Sequence, residues 1–496
     1  MMRCSRKTIG LLLLASLALA LRLLTVLLVA APIDGPVAYE HGEIARNLLA
    51  GKGFTIEFLG TEGPTSQQAP LYPFFLAAVY ACFGVDSPAS VMVVQILQCA
   101  AGAGLVLAVV WLAWSLLPEQ PAAGWLAGLG AAVYPTHIYM ATHLQVAPWA
   151  ALLLILSLAV SVSPRWKGTW RGAVLAGALG GLLLLAEPIL ALALPVCALA
   201  FCGAEFRSVR SSASRTRWRG AGLAAAMALT AAAVIAPWIV RNWLVHGELV
   251  FVKSTFGYAF WQANNEISWG TDKVPKASAE MLRRDHDGTL AGMNRALWNA
   301  RHETLYIDDV LLRPGGYREF RGLTEPERSR VLGRRAAAFI AANPGRYAAL
   351  CLNRLRYFLI FDQTNPKAAN RLYRAGTSAW LVLCGVGLLA TIGQWRRLWP
   401  TYAIFAAVTL FHTLVITSVR FRIPIEPLSF LWGAAALAPL ISRRAIHSAA
   451  TAPAEADAAH PAGPRLSDRD ASLPVTLPMS GSARAGEPSQ SSRRAA

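Results

Sequence analysis

Long apolar runs alternating with short basic loops set the pattern of this chain. Crossing a bilayer takes about 20 apolar residues, and by that measure about ten segments qualify. They lie near 8–32, 88–116, 121–140, 144–163, 172–186, 188–204, 220–241, 376–394, 398–418 and 424–441. The fifth and sixth are short and meet at Glu187-Pro188. The stretch 70–84 is also apolar and predicts a segment that dips into the membrane or lies along it. The pattern predicts an all-α polytopic membrane protein. Its N-terminal transmembrane module covers 1–241, with a first outer loop at 33–87, and its C-terminal module covers 376–446.

Between the modules, residues 242–375 form the one long non-spanning stretch, an expected extracytoplasmic domain. Two helical patterns stand out in it, at about 325–342 and 344–361. Thr324-Glu325-Pro326-Glu327 reads as an N-cap with proline inside the first turn. Asn343-Pro344-Gly345 opens the second pattern, where Arg346, Arg354 and Arg356 stand among Leu, Tyr and Phe. That mixture predicts a helix lying along the membrane surface. Residues 447–496 are rich in Ala, Pro, Ser and Arg and too poor in large apolar residues to offset the entropy of ordering, which predicts a disordered cytoplasmic tail.

Composition agrees with a membrane protein: 55% of the residues are hydrophobic, mean hydropathy is +0.42 and net charge is +18. The positive charge is distributed between apolar spans instead of forming one stripe, so no nucleic-acid partner is expected. Clusters at Arg3, Arg6 and Lys7, at Arg165, Lys167 and Arg171, at Arg207 to Arg219, at Arg396 and Arg397, and at Arg443 and Arg444 all fall on one side of a ten-span chain. The positive-inside rule then puts both termini in the cytoplasm and the first loop outside. The first apolar run is too long for a signal peptide and is interrupted by Arg22, so it reads as a retained helix; cleavage after Ala30-Ala31 is the alternative. The seven cysteines are scattered and imply no disulfide framework.

Four groups at the outer ends of spans could carry chemistry. Glu40 and Glu43 sit three residues apart and would share one helix face, on a short amphipathic helix directly after the first span. Such a pair suits a general base working at a membrane surface; a solvated connector is the plain alternative. His137 and His143 flank the third-to-fourth hairpin, at a spacing that does not match helical metal ligands. Arg241, in Pro237-Trp238-Ile239-Val240-Arg241-Asn242, stands where a guanidinium could hold a lipid-linked phosphate, or snorkel to the interface. Lys253 and the pair Asn264-Asn265 follow and could line the same site. Arg420 and Arg422 run against the positive-inside bias, pointing to an anionic partner unless Glu426 neutralises them. Glu187 is an ionisable group at membrane depth, functional by default, with Arg22 as its structural alternative.

Together these segments resemble the GT-C superfamily of integral-membrane glycosyltransferases. The likeness is to the branch of protein O-mannosyltransferases and aminoarabinose transferases. It rests on Tyr39-Glu40, Ile44-Ala45-Arg46-Asn47-Leu48, Gly51-Lys52-Gly53-Phe54, Gly63-Pro64-Thr65 and Pro70-Leu71-Tyr72-Pro73. It continues through Ala132-Val133-Tyr134-Pro135, Pro237 to Asn242, Phe256-Gly257, Asn264-Asn265, Asn343-Pro344-Gly345-Arg346, and Arg420 to Pro427. The resemblance implies a GT-C-like fold of about ten transmembrane helices, with a first outer loop and a larger outer domain. It implies a bacterial inner-membrane enzyme that takes a polyprenyl-phosphate sugar and glycosylates a lipid, glycan or protein outside the cytoplasm. A first-loop carboxylate would be the base, matched here by Glu40, with Asp34 and Glu43 as alternatives. The chain departs from the branch at Gln145, where some members carry an acid, and at Glu187. These residues identify no cofactor with certainty, and a divalent metal is left open.

The chemistry expected from that resemblance is a single in-line displacement. Glu40 would take the acceptor proton, and Arg241 with Arg420 or Arg422 would stabilise the departing phosphate. The rival classes are a flippase or transporter of a lipid-linked glycan, and a non-catalytic scaffold of the same fold. A transporter calls for polar residues along a path through the membrane and for paired repeats. Neither is visible here, where the helix middles are Ala, Leu and Val.

Overall fold

Proline sets several of the helix boundaries. The first span is α1 (Arg6–Val29), followed by the short α2 (Tyr39–Leu49), a hairpin of β1 (Thr55–Phe58) and β2 (Thr61–Pro64), and α3 (Leu71–Phe83). Next come α4 (Pro88–Leu116), α5 (Pro121–Val133), α6 (Pro135–Tyr139), α7 (Ala147–Val162), α8 (Trp170–Ala186), α9 (Ala193–Arg207) and α10 (Ser214–His246). The long loop segment holds α11 (Phe256–Gln262), α12 (Leu290–His302), α13 (Ile307–Leu311), α14 (Glu325–Ala342) and α15 (Pro344–Leu359). The chain closes with α16 (Arg371–Ala390), α17 (Trp395–Leu414), α18 (Val419–Arg422) and α19 (Glu426–Ala450). This is a computed structural model that describes residues 6–29, 38–207, 214–275 and 287–450. Asp34 and the tail beyond Ala450 lie outside the described residues.

A helix occupies each of the expected spans. Among the described residues four helices are long and apolar enough to cross a membrane: α1, α4, α16 and the Trp218–His246 part of α10. Shorter apolar helices include α3, α5, α7, α8, Pro188–Gly203 and Glu426–Ile441. The expected third span, 121–140, is broken at Tyr134. That residue precedes Pro135, whose ring disfavours helical backbone before it, and Tyr134 is extended at φ −66°, ψ 117°. The same effect splits the fifth span from the sixth: Glu187 ends α8 at φ −148°, ψ 95° before Pro188.

The break at Tyr134 strips partners from the last carbonyls of α5, and Arg22 supplies donors for them. Its Nη2 donates to Ala131 O at 3.2 Å, and its Nη1 to Ala132 O at 3.3 Å and Ala18 O at 2.9 Å. Arg22 is 1% exposed. It is therefore a helix-end cap, not the partner of Glu187 considered from sequence. The guanidinium fits because Gly102 of α4 lies against it; a Cβ there would collide with Arg22 Nε. Close helix contact recurs between α8 and α10, where a Cβ on Gly181 would stand 2.6 Å from Val234 Cβ. Such Gly-x-x-x-Gly contacts (here Gly177 and Gly181) let backbones approach where lipid gives no hydrophobic drive.

The main core runs through α4, α5, α7, α17 and α19, with Val106, Val109, Ala127, Leu154, Leu158, Ile404, Val408 and Leu431 buried together. A second cluster holds the loop structures: Ile44, Phe54, Ile56, Phe58, Trp238, Trp261, Phe320 and Leu332. The hairpin pairs Thr55 with Pro64 and Phe58 with Thr61 around Leu59-Gly60, both at positive φ (49° and 74°), as a two-residue turn of this twist demands. The helical patterns expected in the long loop fall at α14 and α15. Thr324 caps α14 through Glu327, which accepts from Thr324 N at 2.8 Å and Thr324 Oγ1 at 3.0 Å. The expected surface-lying character of α15 does not extend to Arg354. Its side chain is fully buried and donates to Thr413 O at 2.6 Å and Ala263 O at 3.1 Å, tying α15 to the end of α17.

Gly102→Ala is expected to push Arg22 off the α5 carbonyls at a cost of about 1–3 kcal/mol. Thermal unfolding in detergent checks it, with Gly104→Ala as control, because a Cβ there meets only Leu152 methyls at 3.8 Å. The first should melt several degrees lower and the second should not. Equal melting would contradict the cap.

Candidate functional site

The site is built around α2, which is fastened on three sides. Arg46 pairs with Asp86 at 2.6 Å, and Tyr80 donates to the same carboxylate at 2.8 Å. Asn47 Nδ2 donates to Thr55 O at 3.0 Å, and Glu43 accepts from Glu57 N at 3.1 Å. Glu43 is thereby engaged in holding the hairpin. Glu40, on the neighbouring turn, is exposed, and no hydrogen bond or ion pair engages its carboxylate among the described residues. The two acids that share one face in the sequence thus have separate environments. Tyr39, just before Glu40, has a φ of +47°, a left-handed conformation costing a non-glycine residue about 1–3 kcal/mol. Its ring lies 5.9 Å from Trp298, under the guanidinium of Arg301 at 4.2 Å.

Positive charge gathers around this turn. Lys253 donates to Gln68 Oε1 at 3.2 Å. Burial lowers its pKa, against the opposing fields of Glu187 and Glu40, while Arg420 lowers it further. Those three groups therefore act on one ammonium. His41 is pushed down to about 3 by burial, with Lys253 and Arg420 adding to the effect, so its imidazole is neutral. Arg420 is exposed, in no ion pair among the described residues, and stacked only on Phe421 at 5.2 Å. Glu40, Lys253, Glu187 and Arg420 form one electrostatic neighbourhood.

A cavity of about 150 Å³ adjoins it. Its lining includes Tyr139, His143, Lys273, Trp298, Arg301, Lys367 and Arg420. Lys273 pairs with Asp272. Burial opposes that pair, but Lys273 and Arg420 outweigh it and hold the Asp272 carboxyl below its usual range. His143 bonds Thr142 Oγ1 at 2.9 Å, and burial, then Lys367 and Arg301, push it well below its ordinary value.

The other residues singled out from sequence are placed elsewhere. Arg241 donates to Thr65 O at 2.6 Å and Phe54 O at 3.0 Å and stacks on Trp238 at 4.8 Å, so its guanidinium clamps the first loop. Arg422 is 1% exposed; its Nε bonds Glu426 Oε1 at 2.7 Å and its Nη1 bonds Phe358 O and Leu359 O, each at 2.7 Å. His137 completes that group through Nε2 to Glu426 Oε2 at 3.0 Å. Neutralisation by Glu426 thus holds for Arg422 and not for Arg420. Asn264 and Asn265 are buried on backbone: the first donates to Phe260 O at 2.8 Å, the second to Trp261 O at 2.9 Å. Among the described residues no group of three or more His, Cys, Asp or Glu side chains could hold a metal ion.

Sequence reasoning missed Arg301, Lys273 and Lys367. The signal was there, since each is a basic residue in the long loop segment, against the positive-inside bias that drew attention to Arg420. In the sequence Glu325 shows only as part of a helix start. In the structure it is 7% exposed and accepts from Thr65 Oγ1 at 2.5 Å, from Ser66 N at 2.7 Å and from Ser254 Oγ.

The chain matches no known family profile, and no curated protein sequence matches it. Solved structures do. The oligosaccharyltransferase of Archaeoglobus fulgidus, crystallised with Zn and sulfate, aligns at TM-score 0.51 and 15% identity over 89% of this chain and 50% of its own. The same enzyme, AglB, in complex with an inhibitory peptide and a dolichol-phosphate, aligns at 0.51 and 15% over 90% and 52%. ArnT from Cupriavidus metallidurans, bound to undecaprenyl phosphate, aligns at 0.37 and 16% over 90% and 81%. The chain thus shares the fold of the archaeal oligosaccharyltransferase and spans about half the length of that enzyme.

Glu325→Ala removes a charged acceptor from three donors of the first-loop clamp, each such bond being worth about 1.5–3 kcal/mol. Hydrogen exchange should report amides 54–66 opening about ten- to a hundredfold faster. Unchanged protection would show that Glu325 does not hold the loop.

Proposed function

We propose that the chain is a membrane glycosyltransferase that takes its sugar from a polyprenyl-phosphate donor and transfers it on the extracytoplasmic face of a bacterial cytoplasmic membrane. The observation that carries this reading is the contrast at the first loop. Glu40 is an uncommitted carboxylate whose field reaches Lys253, as that of Arg420 does, and no acid engages either cation in an ion pair among the described residues. The GT-C-type fold supports it, as does the dolichol-phosphate bound by the archaeal enzyme. The basic loops on the opposite side support the sidedness.

In the proposed step the acceptor hydroxyl attacks the anomeric carbon of the sugar opposite the phosphate. Its proton passes to the Glu40 carboxylate as the new carbon–oxygen bond forms. The bond from that carbon to the phosphate oxygen breaks, and polyprenyl phosphate leaves with the electron pair, inverting the centre. Arg420 and Lys253 stabilise the charge gathering on the phosphate. Arg420 replaces Arg241 and Arg422 in this role because its guanidinium is not bound to backbone or acid. Arg241 keeps an indirect one, holding Phe54 and Thr65 and so the loop that carries Glu40. Tyr39 positions Glu40 through its constrained backbone, and the field of Glu187 opposes the burial that lowers the Lys253 pKa.

Transfer of labelled sugar from a polyprenyl-phosphate donor, in right-side-out and inverted vesicles, tests this reading. Glu40→Gln should lower the rate about 10²–10⁴-fold, the usual worth of a general base, while Glu43→Gln should retain most of it. Full activity in Glu40→Gln would remove Glu40 as the base. Lipid-linked sugar crossing the bilayer without being consumed would replace the transferase with a flippase.

A further inference from the structure

The cavity that Arg420 lines holds more basic side chains than the donor phosphate accounts for. Four basic side chains line it: Lys273, Arg301, Lys367 and Arg420. One carboxylate, Asp272, also lines it, and that is taken up by Lys273. Arg301 and Lys367 have no ion pair among the described residues. Each is instead held over an aromatic face, Arg301 over Tyr39 at 4.2 Å and Lys367 over Tyr139 at 5.1 Å. A ring face orients a cation and returns about 0.5–2 kcal/mol, but it leaves the charge uncancelled. Enclosing several such charges costs free energy that a bound anion would recover.

We infer that this cavity binds an oxyanion of the acceptor, a phosphate or a carboxylate, through Arg301 and Lys367. The inference rests on the transferase reading and adds the substrate class: an acidic acceptor, anchored by its charge, with a separate hydroxyl presented to Glu40. The placement fits that division. Arg301 packs on Tyr39, the residue next to Glu40 in the chain, so the anchor touches the turn that carries the base. Lys253, assigned above to the donor phosphate, does not line the cavity, whereas Arg420 lines it and acts on Lys253 as well. The donor and acceptor anions would then sit on either side of Arg420. The same groups act on one another: burial, then Arg301 and Lys273, push Lys367 down to about 7, and burial, then Lys367 and Arg301, push His143 well below its ordinary value.

Binding of small sugars to the full chain in phosphatidylcholine nanodiscs tests the inference without requiring transfer. Glucose 6-phosphate, glucuronate and glucose share a scaffold and differ in the charge they offer. One or both acids should bind at least about tenfold tighter than glucose, and the better of the two identifies phosphate or carboxylate as the anchor. The preference should disappear in Arg301→Gln with Lys367→Gln, survive in Arg301→Lys, and survive in Lys253→Gln. Equal binding of all three sugars to the wild type would overturn the inference, as would a preference that persists in the double variant. Loss of the preference in Lys253→Gln would overturn it too, by assigning the anion to the donor site. Melting temperature of each variant separates misfolding from lost binding, and Arg301→Lys supplies a folded, charged comparator. A transferase whose cavity ignores acids fails here alone, and a cavity that binds acids on a chain with no transferase activity fails only the earlier test.

Discussion

The position of Glu40 depends on a clamp between the first loop and two helices that come much later in the chain. Arg241 of α10 grips the backbone of that loop at Phe54 and Thr65, and Glu325 of α14 grips it at Thr65 and Ser66. Between them, Ser66 Oγ bonds Asn242 Oδ1 at 2.7 Å, and Ser254 N bonds Ser66 O at 3.0 Å. A loop joining two apolar helices has little core of its own, so charged hydrogen bonds in a partly dry setting fix it where hydrophobic burial does not suffice. From the clamp, the hairpin reaches α2 through Asn47 and Glu43, which leaves Glu40 as the carboxylate not required for structure.

The same division of labour sorts the basic residues. Arg22, Arg241, Arg354 and Arg422 spend their guanidinium groups largely on backbone carbonyls left open at helix ends or loops. Arg has five donors in a rigid fork and suits that work where lipid offers no water to do it. Arg301, Lys367 and Arg420 do none of it; rings set their directions, and their charge faces open space. Position in sequence does not separate the two groups, since Arg420 and Arg422 are two residues apart. Helix α18 turns one toward the cavity and the other into the core.

How much was legible follows from that sorting. Apolar runs report the spans well, because a helix in lipid must be apolar over its whole length, and α14 and α15 fell where their cap and proline put them. The break at Tyr134 was written in Pro135 and passed over because the apolar run continued through it. Glu40 stood out by its place after the first span. The separate fates of Glu40 and Glu43 could not be read, since they turn on a hairpin amide, Glu57 N, which only the folded loop brings close. Glu325 and Arg301 were hidden for a like reason: their partners, Ser66 and Tyr39, lie some 260 residues away in the chain. Long-range polar contacts leave no periodic trace.

The most direct test of the account is a structure of the chain in nanodiscs with bound polyprenyl phosphate. The account predicts the phosphate within about 3 Å of Arg420 and Lys253, hydrogen-bond distance, with the Glu40 carboxylate facing it across the space for a sugar. A phosphate seated on Arg241 or Arg422, or one remote from α2, would contradict it.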